Sequence, residues 1–193
     1  LFGRDSLIVS WQLLDYDSRI AKNTLKILSE FQGIKIDNER EEEPGKILHE
    51  WWGDVSMKTP LVKPEIPWPF PYYGSVDSTF LYLILASFYF QKTQDKEFIF
   101  SIKQNILNAT SWIMNYADKD KDALIDFERK NPRGLFFQGW RDSSSNKDDR
   151  IQPPIELVEI QGYAFAACNG LRDILNVYGK DQTANRLRQM ADK

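Results

Sequence analysis

The chain has 193 residues, 42% of them hydrophobic and 27% charged, the balance of one globular domain with a real core. Its net charge of −3 excludes the basic stripe that a nucleic-acid partner calls for, and no Lys/Arg-rich run suits an anionic membrane. The single cysteine, Cys168, excludes an intrachain disulfide and fits a reducing, cytoplasmic setting, while the single histidine, His49, excludes a His-rich metal site.

Six segments read as helices, and an all-α domain is expected over residues 1–193. Ser6 to Leu14 carries Leu7, Trp11 and Leu14 at helical spacing. Ser18 to Phe31 follows, with Asp17 as N-cap and Gly33 as a stop. The connection Ile34 to Val76 holds most of the prolines and an acidic patch, Glu39 to Glu43. Long loops are functional or disordered, and Trp51, Trp52, Trp68, Tyr72 and Tyr73 argue that this one packs. Ser78 to Lys92 is nearly all apolar and reads as a buried helix. Its run Phe80 to Phe90 falls short of the roughly 20 residues that cross a bilayer. Lys96 to Tyr116 puts Phe98, Ile102, Ile106, Ala109, Ile113 and Tyr116 on one stripe.

The connection Asp118 to Pro154 is expected to hold a short β-hairpin. Its strands are Ala123 to Glu128 and Leu135 to Gln138, around an Asn131-Pro132-Arg133-Gly134 turn. Ile155 to Tyr178 is a second long stripe, built on Ile160, Ala164, Ala167, Leu171, Leu175 and Tyr178 and stopped at Gly179. Asp181 opens a last helix through Leu187 and Met190.

Polar residues fall at matching places. Arg4-Asp5 precedes the first helix, Asp77 the third, and Asp142 and Glu159 lie before or at the start of the fifth. Alternate helices of an up-down array run parallel, so these residues are expected at one mouth, where positive helix ends suit carboxylates. The competing reading makes Asp5 and Asp77 simple N-caps, and Asp142 a solvated turn residue beside Ser143 to Ser145.

Four stretches stand together: Phe2-Gly-Arg-Asp-Ser-Leu7, Gly45-Lys-Ile-Leu-His-Glu50, Tyr72-Tyr-Gly-Ser-Val-Asp-Ser78, and Gly139-Trp-Arg-Asp-Ser143 with Val158-Glu-Ile-Gln-Gly-Tyr163. In this order they resemble the barrel domain of amylo-α-1,6-glucosidases, and more broadly the glucoamylase-like α/α-toroid hydrolases. The resemblance covers nearly the whole chain. It implies roughly half of an (α/α)6 toroid, a partial catalytic domain. The activity it implies is hydrolysis of α-1,6 glucose branches in a glycogen-like α-glucan, by an inverting route and without a cofactor.

By the same resemblance Asp142 is the general acid, and Arg4 and Asp5 hold hydroxyls of the terminal glucose. Asp77 assists from the third helix. Glu159, Gln161 and Tyr163 line the pocket, and Trp51, Trp52 or Trp140 offers a ring face. His49 and Glu50 belong to a substrate-binding loop. An arginine is expected soon after His-Glu, but the run here is His49-Glu50-Trp51-Trp52-Gly53-Asp54. The general base of similar enzymes comes from a late inner helix, so it is expected beyond this chain, with Glu159 a candidate by default. Both chain ends read as cuts through a larger protein, and half a toroid would expose apolar faces and favour self-association.

The run Asp118-Lys-Asp-Lys-Asp122 invites comparison with a calcium loop. Ala123 and Arg129 stand where an EF-hand needs Gly and Glu, so an acidic turn without metal is expected. Alternatives to the debranching reading are another linkage, α-1,4 or trehalose-like, and a non-catalytic helical module that binds sugar or protein.

Overall fold

A computed structural model describes residues 1–53, 67–145 and 150–191, so Asp54 of the His49 run lies outside the described residues. The described chain is mostly helical. Its helices are α1 (Gly3–Gln12), α2 (Ser18–Glu30), α3 (Asp77–Thr93), α4 (Lys96–Ser101), α5 (Lys103–Tyr116), α6 (Val158–Val177) and α7 (Asp181–Ala191). A two-stranded antiparallel sheet joins β1 (Asp126–Phe127) to β2 (Ile155–Glu156).

α3 is apolar on every side and therefore buried. Phe80 through Ala86 are all buried, and α1, α2, α4, α5 and α6 pack around it. Two ion pairs fix how α1 lies along it. Arg4 at the start of α1 meets Asp77 at the start of α3, and Asp15 just past the end of α1 meets Lys92 near the end of α3, at 2.5 Å. The two helices therefore run parallel. α2 runs the other way: Lys22 reaches Asp95 beyond the end of α3, while Ser29 bonds Tyr82 within it. Among the described residues no helix is long and apolar enough to cross a membrane.

Four expectations are corrected. The stripe Lys96 to Tyr116 is two helices, because Ile102 leaves helical geometry at φ −105° and ψ 15°. Beside it the Ser101 hydroxyl bonds back to the Phe98 carbonyl, a contact that bends helices. The hairpin between Ala123–Glu128 and Leu135–Gln138 does not form. β1 lies inside the first segment but pairs with Ile155–Glu156, while Phe137 bridges to Ser143. The turn at Asn131 does close, Gly134 N donating to Asn131 O. Its neck docks elsewhere: Lys130 N and Asn131 N both donate to the Glu41 carboxylate. Residues 155–156, expected as helix, are strand, and α6 starts at Val158. Finally, α1 and α3 start earlier than their apolar patterns suggest. Arg4, Asp5 and Asp77 sit in first turns, and the N-cap positions are Phe2 and Val76, without side-chain caps. Neither Asp5 nor Asp77 is an N-cap.

α3 and α6 touch most closely where Ser87 donates to the Gly170 carbonyl at 2.7 Å. A β-carbon on Gly170 would stand 2.6 Å from the Ser87 oxygen. Gly170→Val is therefore expected to lower unfolding stability by about 1–3 kcal/mol, as overpacking does, read from urea midpoints against the parent chain.

Candidate active site

Three of the quoted stretches are knitted by backbone bridges before any side chain is considered. Phe2 bridges to Glu50 and Glu50 to Tyr72. Gly3 N donates to His49 O at 2.8 Å. A β-carbon on Gly3 would lie 2.1 Å from Leu48 O, so only glycine lets α1 begin against this segment. The fourth stretch joins through Val76 N, which donates to Gln138 O at 3.0 Å. The Phe137–Ser143 bridge then folds residues 138–142 over the start of α3.

Arg4 is the centre of the assembly. It is buried, and its Nε donates to Asp77 Oδ2 at 2.5 Å, its Nη1 to Asp142 Oδ2 at 2.8 Å and its Nη2 to the Gln138 carbonyl at 3.4 Å. Asp77, 1% exposed, also accepts from the Ser75 hydroxyl at 2.6 Å. Burial opposes the charge on both partners. It lifts the Asp77 carboxyl above the usual carboxylate range against the pull of Arg4 and Ser75. For Arg4 the two carboxylates outweigh burial and hold the guanidinium more firmly protonated than usual.

His49 lies beside this group, its Nε2 3.8 Å from Asp142 Oδ2, beyond hydrogen-bond reach. Burial, with Arg4 next to it, lowers its pKa to about 4 against the pull of Asp142, so the ring is neutral at pH 7. Its buried Nδ1 has no hydrogen-bond partner among the described residues.

The remaining residues divide. Tyr163 belongs with the cluster: burial raises its phenol first, and the Asp77 and Glu159 carboxylates raise it further. Glu159 is half-buried in the first turn of α6, its Oε1 3.4 Å from the place of a Gly139 β-carbon. Asp5 is exposed in the first turn of α1. Glu50 is buried and accepts from two indoles, Trp52 Nε1 at 2.7 Å and Trp68 Nε1 at 2.8 Å. It orients the aromatic wall. Trp51 packs on Phe31, with ring centroids 4.7 Å apart. Trp52 and Trp140 are exposed. Leu1, Phe2, Trp51, Trp52 and Gly53 line an open cleft of about 450 Å³ beside His49.

Gln161 is engaged elsewhere. Its side chain accepts from Ile125 N and donates to Ile125 O, both at 2.8 Å, which holds the strand β1 to α6. Gln138 and Trp68 are structural members of the site that lie outside the four quoted stretches, and Ser75 lies within one without a role assigned to it. Gln138 acts through its carbonyl, which any residue has, so no side-chain signal could have marked it.

No protein-family model matches the chain, and no curated protein matches it.

Removing Arg4 would leave Asp77 buried and unpaired. Arg4→Ala is expected to cost about 3–5 kcal/mol of folding stability, measured by chemical denaturation at pH 7. His49 gives a pH dependence. Its folded-state pKa of about 4 lies below the ordinary 6.5, so between those values the unfolded chain binds the extra proton. Stability is complete above pH 6.5 and is lost as the pH falls toward 4. Urea midpoints at pH 7 and 4.5 should differ more for the parent than for His49→Gln, by up to about 3 kcal/mol.

Proposed function

We propose that the chain is part of an (α/α)6 toroid glycoside hydrolase of the amylo-α-1,6-glucosidase type. Its substrate is an α-1,6-linked glucose branch on a glycogen-like α-glucan. One observation carries the reading. The four stretches on which the resemblance rests are far apart in sequence, yet they converge on one buried guanidinium at the start of α1 and α3. The parallel course of α1 and α3 supports an inner ring whose N-terminal ends share one mouth.

In this reading Asp142 protonates the leaving glycosidic oxygen. Arg4 Nη1 donates to its Oδ2, which leaves Oδ1 as the oxygen to face the leaving group. The C1–O bond breaks, and water attacks C1 from the opposite face. In an inverting enzyme the base that takes the water's proton stands about 6.5–9.5 Å from the acid. The resemblance places that base on a later inner helix, with Glu159 the candidate within this chain. Asp5 and Tyr163 meet sugar hydroxyls, which both donate and accept, and the exposed rings of Trp52 and Trp140 offer apolar faces.

The test combines binding and release. An isomaltose-type oligosaccharide should quench tryptophan fluorescence saturably, and Asp142→Asn should retain that binding. Where the parent chain releases glucose from a branched dextrin, Asp142→Asn should slow release by about 10²–10⁴-fold. Absence of both binding and release, or release unaffected by Asp142→Asn, would overturn the reading. Preference for a maltose-type ligand would overturn the linkage.

A further inference from the structure

A second polar cluster lies away from Arg4, in the connection between α5 and β1. The carboxylates of Asp118, Asp120 and Asp126 each present an oxygen within 4.8 Å of the others, and so do those of Asp120, Asp122 and Glu156. Acidic surface groups gather without consequence in many proteins, so the geometry alone decides nothing. Asp126 decides it. The residue is 2% exposed. Its Oδ2 accepts from Lys119 N at 2.7 Å and from Asp120 N at 3.4 Å, but its Oδ1 is buried with no hydrogen-bond partner among the described residues. A buried carboxylate oxygen without a donor is costly, and here it belongs to a carboxylate facing two others.

We infer that Asp118, Asp120 and Asp126 bind one calcium ion, with Asp122 and Glu156 completing the negative surround. Calcium takes six to eight oxygens at about 2.3–2.6 Å, so oxygens on opposite sides of one ion stand about 5 Å apart, and these carboxylate oxygens lie close enough to one another to share it. Backbone carbonyls and water supply the rest of the shell. Magnesium demands a tighter octahedron at about 2.0–2.1 Å and holds its own water. Two ammonium groups border the cluster: Lys119 lies 3.9 Å from Glu43 and also acts on Asp126, and Lys121 donates to the Asp118 carbonyl.

The EF-hand pattern misses this site for a structural reason. Ala123 adopts the left-handed turn, φ 80°, that an EF-hand gives to glycine. The closing acids come from the sheet: Asp126 lies on β1, and its strand partner is Glu156 on β2. Bound calcium would therefore cross-brace the α5–β1 loop to the strand leading into α6. The site is independent of the glycosidase reading.

The experiment is calorimetric titration of the chelator-washed chain with calcium chloride alone, and in parallel with magnesium chloride. Saturable binding of one calcium per chain, about micromolar to millimolar, with a higher Tm and weaker magnesium binding, is the expected result. Asp120 is exposed, so Asp120→Asn should keep the parent circular dichroism while weakening calcium about tenfold or more. Asp118→Asn should do the same. No saturable calcium binding up to about 10 mM, or unchanged affinity in both folded variants, would overturn the site. Equal affinity for magnesium would overturn its assignment to calcium.

Discussion

A guanidinium buried among carboxylates is the constraint on which the arrangement of this chain depends. Burying an ion without a partner is prohibitive, and Arg4 cannot find partners locally. Its ligands stand 73, 134 and 138 residues away in sequence. Satisfying it forces α1 beside α3 and brings the segment from Gln138 to Asp142 over both. Gly3 makes the approach possible, and the bridges through Glu50 lock it. Pairing of this kind adds little net stability against an apolar replacement. What it supplies is register: α1 cannot slide along α3 without stranding Asp77.

The apolar side of the same design is α3. Its hydrophobic residues face every direction, so neighbours must surround it, and α6 approaches closely enough that Gly170 lies against Ser87. Charged groups are confined to its ends, Asp77 at the start and Lys92 near the finish. The outer parts of α1 and α6 are less complete. Val9, Trp11, Val158 and Phe165 remain exposed, apolar surface of the kind that further protein ordinarily covers.

Much of this was legible in the sequence because amphipathic periodicity is a local property of a helix that packs on one face. α2 starts after its expected cap Asp17, and α5 and α6 bury most of the stripe residues read for them. The convergence of Arg4, Asp77 and Asp142 was legible through the motifs, whose spacing relative to helix starts implied a common end. Most of the misses share one cause: long-range contacts overrode local signals, whereas the bend at Ile102 is local. The turn at Asn131 has the right residues for a hairpin, yet Glu41 takes its backbone donors. Ile102 carries the stripe without interruption while its backbone bends. Gln161 sits on the expected helix, but its amide is held by Ile125, and no periodicity reports a side chain's partner.

The two acidic clusters differ in how their charge is balanced, and that difference bears on what each can do. Around Arg4 there is one fixed cation, two carboxyl groups and a neutral His49. With both carboxyls ionised the group carries one excess negative charge. Arg4 and Asp77 form a balanced buried pair. Of the two acids, Asp142 is the one with solvent access, 36% exposed against 1% for Asp77. Around Asp120 five carboxylates gather, bordered by the ammonium groups of Lys119 and Lys121. There desolvation, with Asp122, Asp120 and Asp126, raises the Glu156 carboxyl, repulsion that an external cation relieves.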